Sequence, residues 1–328
     1  MNKTEPQGAK IEKLSECFNK KHGEFLYSGT LALETALIAA GVKKNDYVIL
    51  PDNVCFKVLL SVVRCKAIPI LINPANRVNL TTGDVMESIR KYPVKAIILV
   101  HNFGIPVNVK SFRDRYADKY AIIEDCAQAW DLKCQGESVG KYSDFVITSF
   151  GSTKPTRYGF GGAIFGDSED FKILLDYGDR RSRNSQKVLL PYVLPSSTKI
   201  SSNVLMLIGN KVVKKQREIA DAILSNLNND KVTLWQSLDG DSPSWHRFPI
   251  WIHDKKDYAR LMMIADRFNV IYELPFSTPL HKLPIAVSYN CVYVDNSKTT
   301  SYQINIKPFI NSTKNIRKWC AALTSSKK

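Results

Sequence analysis

The sequence has no paired cysteine spacing, no long apolar run and no internal repeat. Its seven cysteines, at 17, 55, 65, 126, 134, 291 and 320, are odd in number, scattered, and include no Cys-x-x-Cys. A disulfide framework is therefore excluded, and reduced thiols are the expected state. The five histidines, at 22, 101, 246, 253 and 281, share no ligand spacing with those cysteines, so no metal is expected. No apolar stretch approaches the roughly 18 residues of a membrane span. The start, MNKTEPQGAK, has no apolar core of a secretory signal. The cytoplasm is the expected compartment, with no membrane partner.

What is present is a basic chain with a globular composition. It has 328 residues, 44% hydrophobic and 23% charged, with a formal charge of +15. Single cores stop growing beyond roughly 250 residues, which predicts about two domains. The positive excess is spread along the whole chain, and its densest cluster, Arg180, Arg181 and Arg183, is short. No zinc-finger, RNA-recognition or K-homology signature accompanies it, so no nucleic-acid partner is expected. A solvated basic surface accounts for most of the excess, and an anionic small-molecule substrate is consistent with the rest.

From residue 25 to 166, short runs of Ile, Leu and Val alternate with amphipathic segments. Candidate strands are 46–51, 67–72, 94–100, 120–125, 144–150 and 162–166; candidate helices are 30–40, 53–65, 83–91 and 110–118. Apolar strands separated by helical periods predict βαβ units and a mostly parallel sheet covered on both faces. After residue 166 the rhythm changes. The stretch 174–199 reads as a long basic loop, 201–227 as a long helix, and the remainder as mixed strands and helices. The expected fold class is α/β, with a large domain over 1–205 and a smaller α+β C-terminal domain over 206–328. The N-terminal helix is counted with the large domain, and the small one is open to it as a second packing partner.

Three residues on one expected edge of that sheet carry chemistry. Asp125 ends one apolar strand, Ser149 ends the next, and Lys154 lies five residues beyond. In open α/β sheets, ligands collect outside the carboxyl ends of the strands. An amine that can capture an aldehyde and a carboxylate that can hold a ring nitrogen protonated are what pyridoxal phosphate requires of a protein. Ser28, Gly29 and Thr30 precede a strongly helical stretch, where backbone N–H groups can meet a phosphate. Taken singly, each has an ordinary reading: Ser-Gly-Thr as a helix cap, Asp125 as a cap, Lys154 as one of 46 basic residues, and the glycines at 159, 161 and 162 as a turn.

Their combination resembles a family. S-G-T-x-A-L at 28–33, the region of Pro51, V-H-N-F-G at 100–104, I-E-D-C-A-Q-A at 123–129, S-F-x-x-T-K at 149–154 and G-x-G-G at 159–162 resemble the DegT/DnrJ-type sugar aminotransferases. The resemblance implies the aspartate-aminotransferase type of fold (type I), pyridoxal 5′-phosphate as cofactor, and a homodimer with shared active sites. It implies that Lys154 carries the cofactor and acts in catalysis, and that Asp125 pairs with the ring nitrogen. Gln128 then lies against the ring, and Ser28, Gly29, Thr30 and Ser149 hold the phosphate. Cys55 or Phe56 would cover the ring, where the family usually has an aromatic residue. The implied substrates are an amino donor, glutamate in the family, and a nucleotide-linked keto-hexose, in the synthesis of cell-surface polysaccharides such as O-antigen. Arg157, Arg181 and Arg183 are candidates to meet the sugar diphosphate. Two alternatives stand beside this: a lyase or dehydratase using the same cofactor, and a non-catalytic member of the fold. The related dehydratases have histidine at the position of Lys154, and a non-catalytic member is expected to lose the lysine or the aspartate.

Overall fold

Strands that are apolar along their whole length can only be buried on both faces, and here they are. The computed structural model describes residues 7–169, 171, 200–227, 230–274, 279–296 and 301–324. Along the chain the first elements are α1 (Gln7–Cys17), β1 (His22–Leu26), α2 (Gly29–Ala39), β2 (Tyr47–Pro51), α3 (Phe56–Arg64), β3 (Ile68–Asn73), α4 (Thr82–Lys91), β4 (Val94–Val100), α5 (Val109–Tyr116) and β5 (Ala121–Asp125). A short hairpin of β6 (Lys133–Cys134) and β7 (Glu137–Ser138) follows, then β8 (Phe145–Ser149) and β9 (Gly162–Gly166). Next come α6 (Ser202–Asn226), β10 (Val232–Leu234), β11 (Phe248–Ile252), α7 (Lys255–Arg267), β12 (Tyr272–Glu273), α8 (Pro284–Ser288), β13 (Val292–Asp295), β14 (Tyr302–Ile306) and α9 (Thr313–Thr324).

Eight strands form the large sheet in the order β1-β9-β8-β5-β4-β2-β3-β13. From β8 through β13 neighbouring strands pair in parallel, while β9 is antiparallel to both β8 and β1. Successive residues alternate faces. Leu50, Ile98 and Ile123 thus pack under α2 and α3 with Leu33, Leu37, Leu59 and Val62. Ile49, Ile97 and Ile122 face the opposite way, toward Val85 of α4 and Phe112 of α5. Helix starts carry local signals: Thr81 and Asp84 make a reciprocal capping box at α4, and Asp254 caps α7.

A second sheet runs β10-β11-β14-β12, all antiparallel. Its core gathers Phe248, Ile250, Ile304, Ile306 and Trp319, and it takes in Val78, Phe103 and Ile105 from the first half of the chain. Helix α6 joins the two sheets. Its N-terminal half places Leu205 and Val213 beside Ile11 and Leu14 of α1, and Ile219 and Ile223 further along pack into the second core.

The expected strands and helices up to residue 166 form within three residues of their predicted bounds. Two strands of the large sheet go beyond those expectations. HGEFL at β1 is an edge strand of mixed polarity, and VYVD at β13 returns from the last third of the chain to pair with β3. GAIFG forms as expected but runs against its neighbours. The stretch 174–199, with Arg181 and Arg183, lies outside the described residues. No helix among the described residues is long and apolar enough to cross a membrane.

Candidate active site

Because β2, β4, β5 and β8 are parallel, their carboxyl ends share one edge, and Pro51, Val100, Asp125 and Ser149 lie along it. A cavity of about 620 Å³ opens there, within the range that holds small ligands. Ser28, Gly29, Thr30, Cys55, Asp125, Gln128, Ser149 and Lys154 all line it. Phe56 does not. It is 48% exposed at the first turn of α3, and of the two candidates to cover the ring only the preceding residue, Cys55, lines the cavity.

Lys154 is carried on the loop between β8 and β9, which is folded back and pinned. Its N–H donates to Gly151 O at 2.9 Å, and Arg157 N–H donates to Lys154 O at 3.1 Å. Phe150 N–H bonds Gly161 O at 2.9 Å and Gly159 N–H bonds Phe150 O at 2.8 Å. Gly159 and Gly161 sit at φ of +114° and +93°, which other residues adopt only under strain. The start of α2 is pressed against this loop: a Cβ on Gly162 would come within 2.5 Å of Gly29 N. A glycine there lets the helix's N–H groups reach the strand ends.

Ser28 performs the ordinary capping task, its Oγ accepting from Leu31 N–H at 3.2 Å. The first-turn amides of Gly29 and Thr30 are left without partners in their own helix. They are available to an anion, beside the Ser149 hydroxyl. Gln128 is held by an amide network. Its Oε1 accepts from Phe103 N–H at 3.1 Å, and its Nε2 donates to Asn102 Oδ1 at 3.3 Å. Asn102 Nδ2 in turn donates to Asn53 O at 2.9 Å, and the Asn102 backbone N–H donates to Asn79 Oδ1 at 3.1 Å.

Two ionisable groups of the cavity, Lys154 and Asp125, are tuned toward their neutral forms. Burial lowers the pKa of Lys154, against the opposing pull of Asp125. Burial raises that of Asp125, against the Ala127 N–H that donates to its Oδ1 at 2.8 Å and the nearby Lys154 and His101. A cationic partner at Asp125 would restore its carboxylate.

A second group of residues adjoins the cavity from the small sheet. Arg247 precedes β11, Glu273 ends β12 and Lys307 follows β14, and the antiparallel register of Phe248 with Ile306 and of Glu273 with Asn305 brings them together. Arg247 Nε pairs with Glu273 Oε1, and Lys307 Nζ lies 3.0 Å from Glu273 Oε2. The Arg157 guanidinium stacks 3.6 Å from the centre of the Phe309 ring. Of this group only Arg157 was singled out from sequence. It lies outside the cavity lining, alongside these residues. Asn102 lies within the V-H-N-F-G motif, whereas Asn53, Asn79, His246, Arg247, Glu273 and Lys307 carry no local sequence signal.

His101, Glu124 and Cys126 are of metal-ligating types and lie close together. They do not fit a metal. His101 Nε2 bonds Glu124 Oε2 at 3.0 Å, His101 Nδ1 accepts from Val107 N–H at 3.1 Å, and Gly140 N–H donates to the Glu124 carboxylate at 3.0 Å. Burial raises the Cys126 thiol well above its usual pKa, keeping it protonated.

The profile of the DegT/DnrJ/EryC1/StrS aminotransferase family matches residues 7–305. The chain belongs to this family. With membership come the aminotransferase class and pyridoxal 5′-phosphate as cofactor. A relative within the curated proteins is a GDP-perosamine synthase of Vibrio cholerae, 27% identical over 83% of this chain and 77% of its own. Among solved structures, a family aminotransferase from Brucella abortus superposes with a TM-score of 0.78 at 20% identity, covering 98% of this chain and 90% of its own. NtdA from Bacillus subtilis, solved with pyridoxamine phosphate, gives 0.76 at 21% identity over 98% and 78%. The residues present suit the family's cofactor: a buried amine, a buried carboxylate in want of a cation, and a helix start approached closely through Gly162.

Proposed function

We propose that this protein moves an amino group from an amino acid, with glutamate the expected donor, to the ketone of a nucleotide-linked hexose. The observation that carries this reading is a lysine amine, buried and held toward its neutral form, in one cavity with Asp125 and the start of α2. When bound, pyridoxal phosphate supplies an aldehyde that takes up the amino group and a ring that draws electrons from the donor's Cα–H bond.

The residues of the chain do the rest. Lys154 Nζ provides the point of covalent attachment. Once released, it is a neutral base that takes the donor's α-proton and returns it to the carbon that carried the attachment. Asp125 holds the proton on the ring nitrogen. Gly29 and Thr30 N–H groups and the Ser149 hydroxyl bind the phosphate at the positive end of α2. Cys55 and Gln128 bound the ring, with Gln128 fixed by Asn102 and Phe103. We further read the protein as a cytoplasmic homodimer with sites at the subunit interface, serving cell-surface polysaccharide synthesis, with Arg181 and Arg183 candidates to meet the sugar diphosphate.

The test is a panel of nucleotide keto-sugars offered with L-glutamate to the cofactor-loaded protein, following amino-sugar formation by mass. An amino sugar from at least one member is expected. A cofactor spectrum that no amino donor moves would instead favour the lyase chemistry.

A further inference from the structure

The residues that converge at the end of the small sheet leave two buried hydrogen-bond donors without acceptors among the described residues. Arginine has no lone pair to offer, so the contact of Arg247 Nη1 with His246 Nε2 at 3.2 Å makes that ring nitrogen the acceptor. The single proton of the neutral imidazole is then on Nδ1. That atom is buried and has no partner among the described residues, and the same is true of Arg157 Nε. The imidazole is neutral, since burial and the charges of Arg247, Lys154, Arg157 and Lys307 lower its pKa far below the usual value.

Both orphans are N–H groups, so what is missing is an acceptor. The charges require that it be anionic. Arg157, Arg247 and Lys307 all bring positive charge to His246, and the carboxylate paired with two of them, Glu273, is kept ionised by the hydrogen bonds and charges of Arg247 and then Lys307 against the upward push of burial. The segment bearing His246 is also fixed against the cavity wall. Ser244 N–H donates to Gly104 O at 2.9 Å, Ser244 Oγ donates to Gln128 O at 3.3 Å, and Arg247 N–H donates to Phe103 O at 3.2 Å. Arg247 and Glu273 stand close enough for their charges to act on Lys154 itself.

We propose that His246 Nδ1–H and the Arg157 guanidinium, backed by Arg247 and Lys307, form the subsite for the α-carboxylate of the amino donor. The inference rests on the transaminase reading above and deepens it. Distance from the lysine decides between the two anions that such an enzyme meets. The donor's α-carboxylate is attached to the carbon whose proton Lys154 removes, so it must come to rest beside that amine. A nucleotide diphosphate is separated from the reacting ketone by several atoms of the hexose and belongs further out.

The experiment follows the donor step alone, titrating cofactor-loaded protein with L-glutamate and recording the cofactor spectrum under single-turnover conditions. In Arg157→Gln the apparent Kd for glutamate should rise at least 10-fold with the limiting rate within about threefold of wild type. The KM for the nucleotide sugar in the second step should stay within about twofold. Arg157→Lys should recover part of the loss, and Lys307→Met should weaken glutamate in the same direction and serve if the Arg157 variants do not fold. An unchanged glutamate Kd overturns the proposal, as does a loss that falls on the nucleotide-sugar step, which would assign the cluster to the diphosphate. Wild-type protein whose spectrum does not respond to any amino donor would defeat the transaminase reading and this inference together; a wild-type response that Arg157→Gln leaves intact defeats only the inference.

Discussion

Of the five histidines, His101 and His246 are buried, and they are bonded in opposite ways. His101 uses both ring nitrogens, one with Glu124 and one with the Val107 amide, and the Glu124 carboxylate is completed by Gly140. His246 uses one, and its other nitrogen meets no partner among the described residues. Around His101 the charges are balanced by a carboxylate; around His246 the cations Arg157, Arg247 and Lys307 outnumber the one carboxylate that Arg247 and Lys307 share, Glu273. Burial is therefore not what separates a structural histidine from a functional one. Completion of its hydrogen bonds is, because an unmet buried donor carries a desolvation cost that a ligand's acceptor relieves.

The same distinction predicts where substitutions act. Lys154→Ala should have the largest effect, lowering amino transfer by about 10³-fold or more through loss of both the attachment and the base. Borohydride reduction and peptide mapping of wild type should put the cofactor label on Lys154. A label elsewhere would end the assignment. Asp125→Asn should keep the cofactor bound and lower kcat by about 10²-fold; turnover near wild type would remove Asp125 from the ring nitrogen. On the structural side, His101→Phe should reduce stability by about 3 kcal/mol, since it strands the buried Glu124, and urea unfolding would measure it.

His246→Asn should separate from His101→Phe in its pH dependence. With its pKa lowered in the folded state, His246 takes up a proton only in the unfolded chain as pH falls below about 6.5. The wild type should thus lose stability on acidification through that window, and the variant should lose less. Parallel unfolding curves for the two proteins from pH 7.5 to 5 would show that His246 is not held neutral.

The large sheet and its lysine edge were legible because each depends on local sequence. Strands such as YVILP are apolar since both of their faces are covered, and Asp125 and Ser149 declare their position by ending such runs. HGEFL and VYVD carry no such signature, being edge strands with polar or half-exposed positions interleaved. The cluster at the small sheet was out of reach for a different reason. Arg247, Glu273 and Lys307 come from three strand ends spread over sixty residues of chain, and only the antiparallel register unites them. Nothing near any one of them in sequence marks it, whereas Lys154 has its motif around it. Between Cys55 and Phe56 the sequence left two possibilities. The start of α3 separates them, turning one residue inward and the other out.

The smallest effect expected is at Glu34, on the wall that α2 and α3 share. Its carboxyl is buried, and burial raises its pKa to about 7 despite the Arg64 guanidinium 3.1 Å away. A carboxyl raised in the folded state binds a proton there at pH values where the unfolded chain has already lost it. Stability is then fully present below the unfolded pKa, near 4.5, and is lost as pH climbs through about 7. Glu34→Gln removes the titration while keeping size and polarity. Its melting temperature relative to wild type should be higher at pH 8 than at pH 5, by a few degrees at most. An offset that does not change with pH, or changes in the other direction, would mean that Arg64 holds Glu34 ionised. The α2–α3 wall of the cavity would then carry one more negative charge near neutrality than the burial of Glu34 implies.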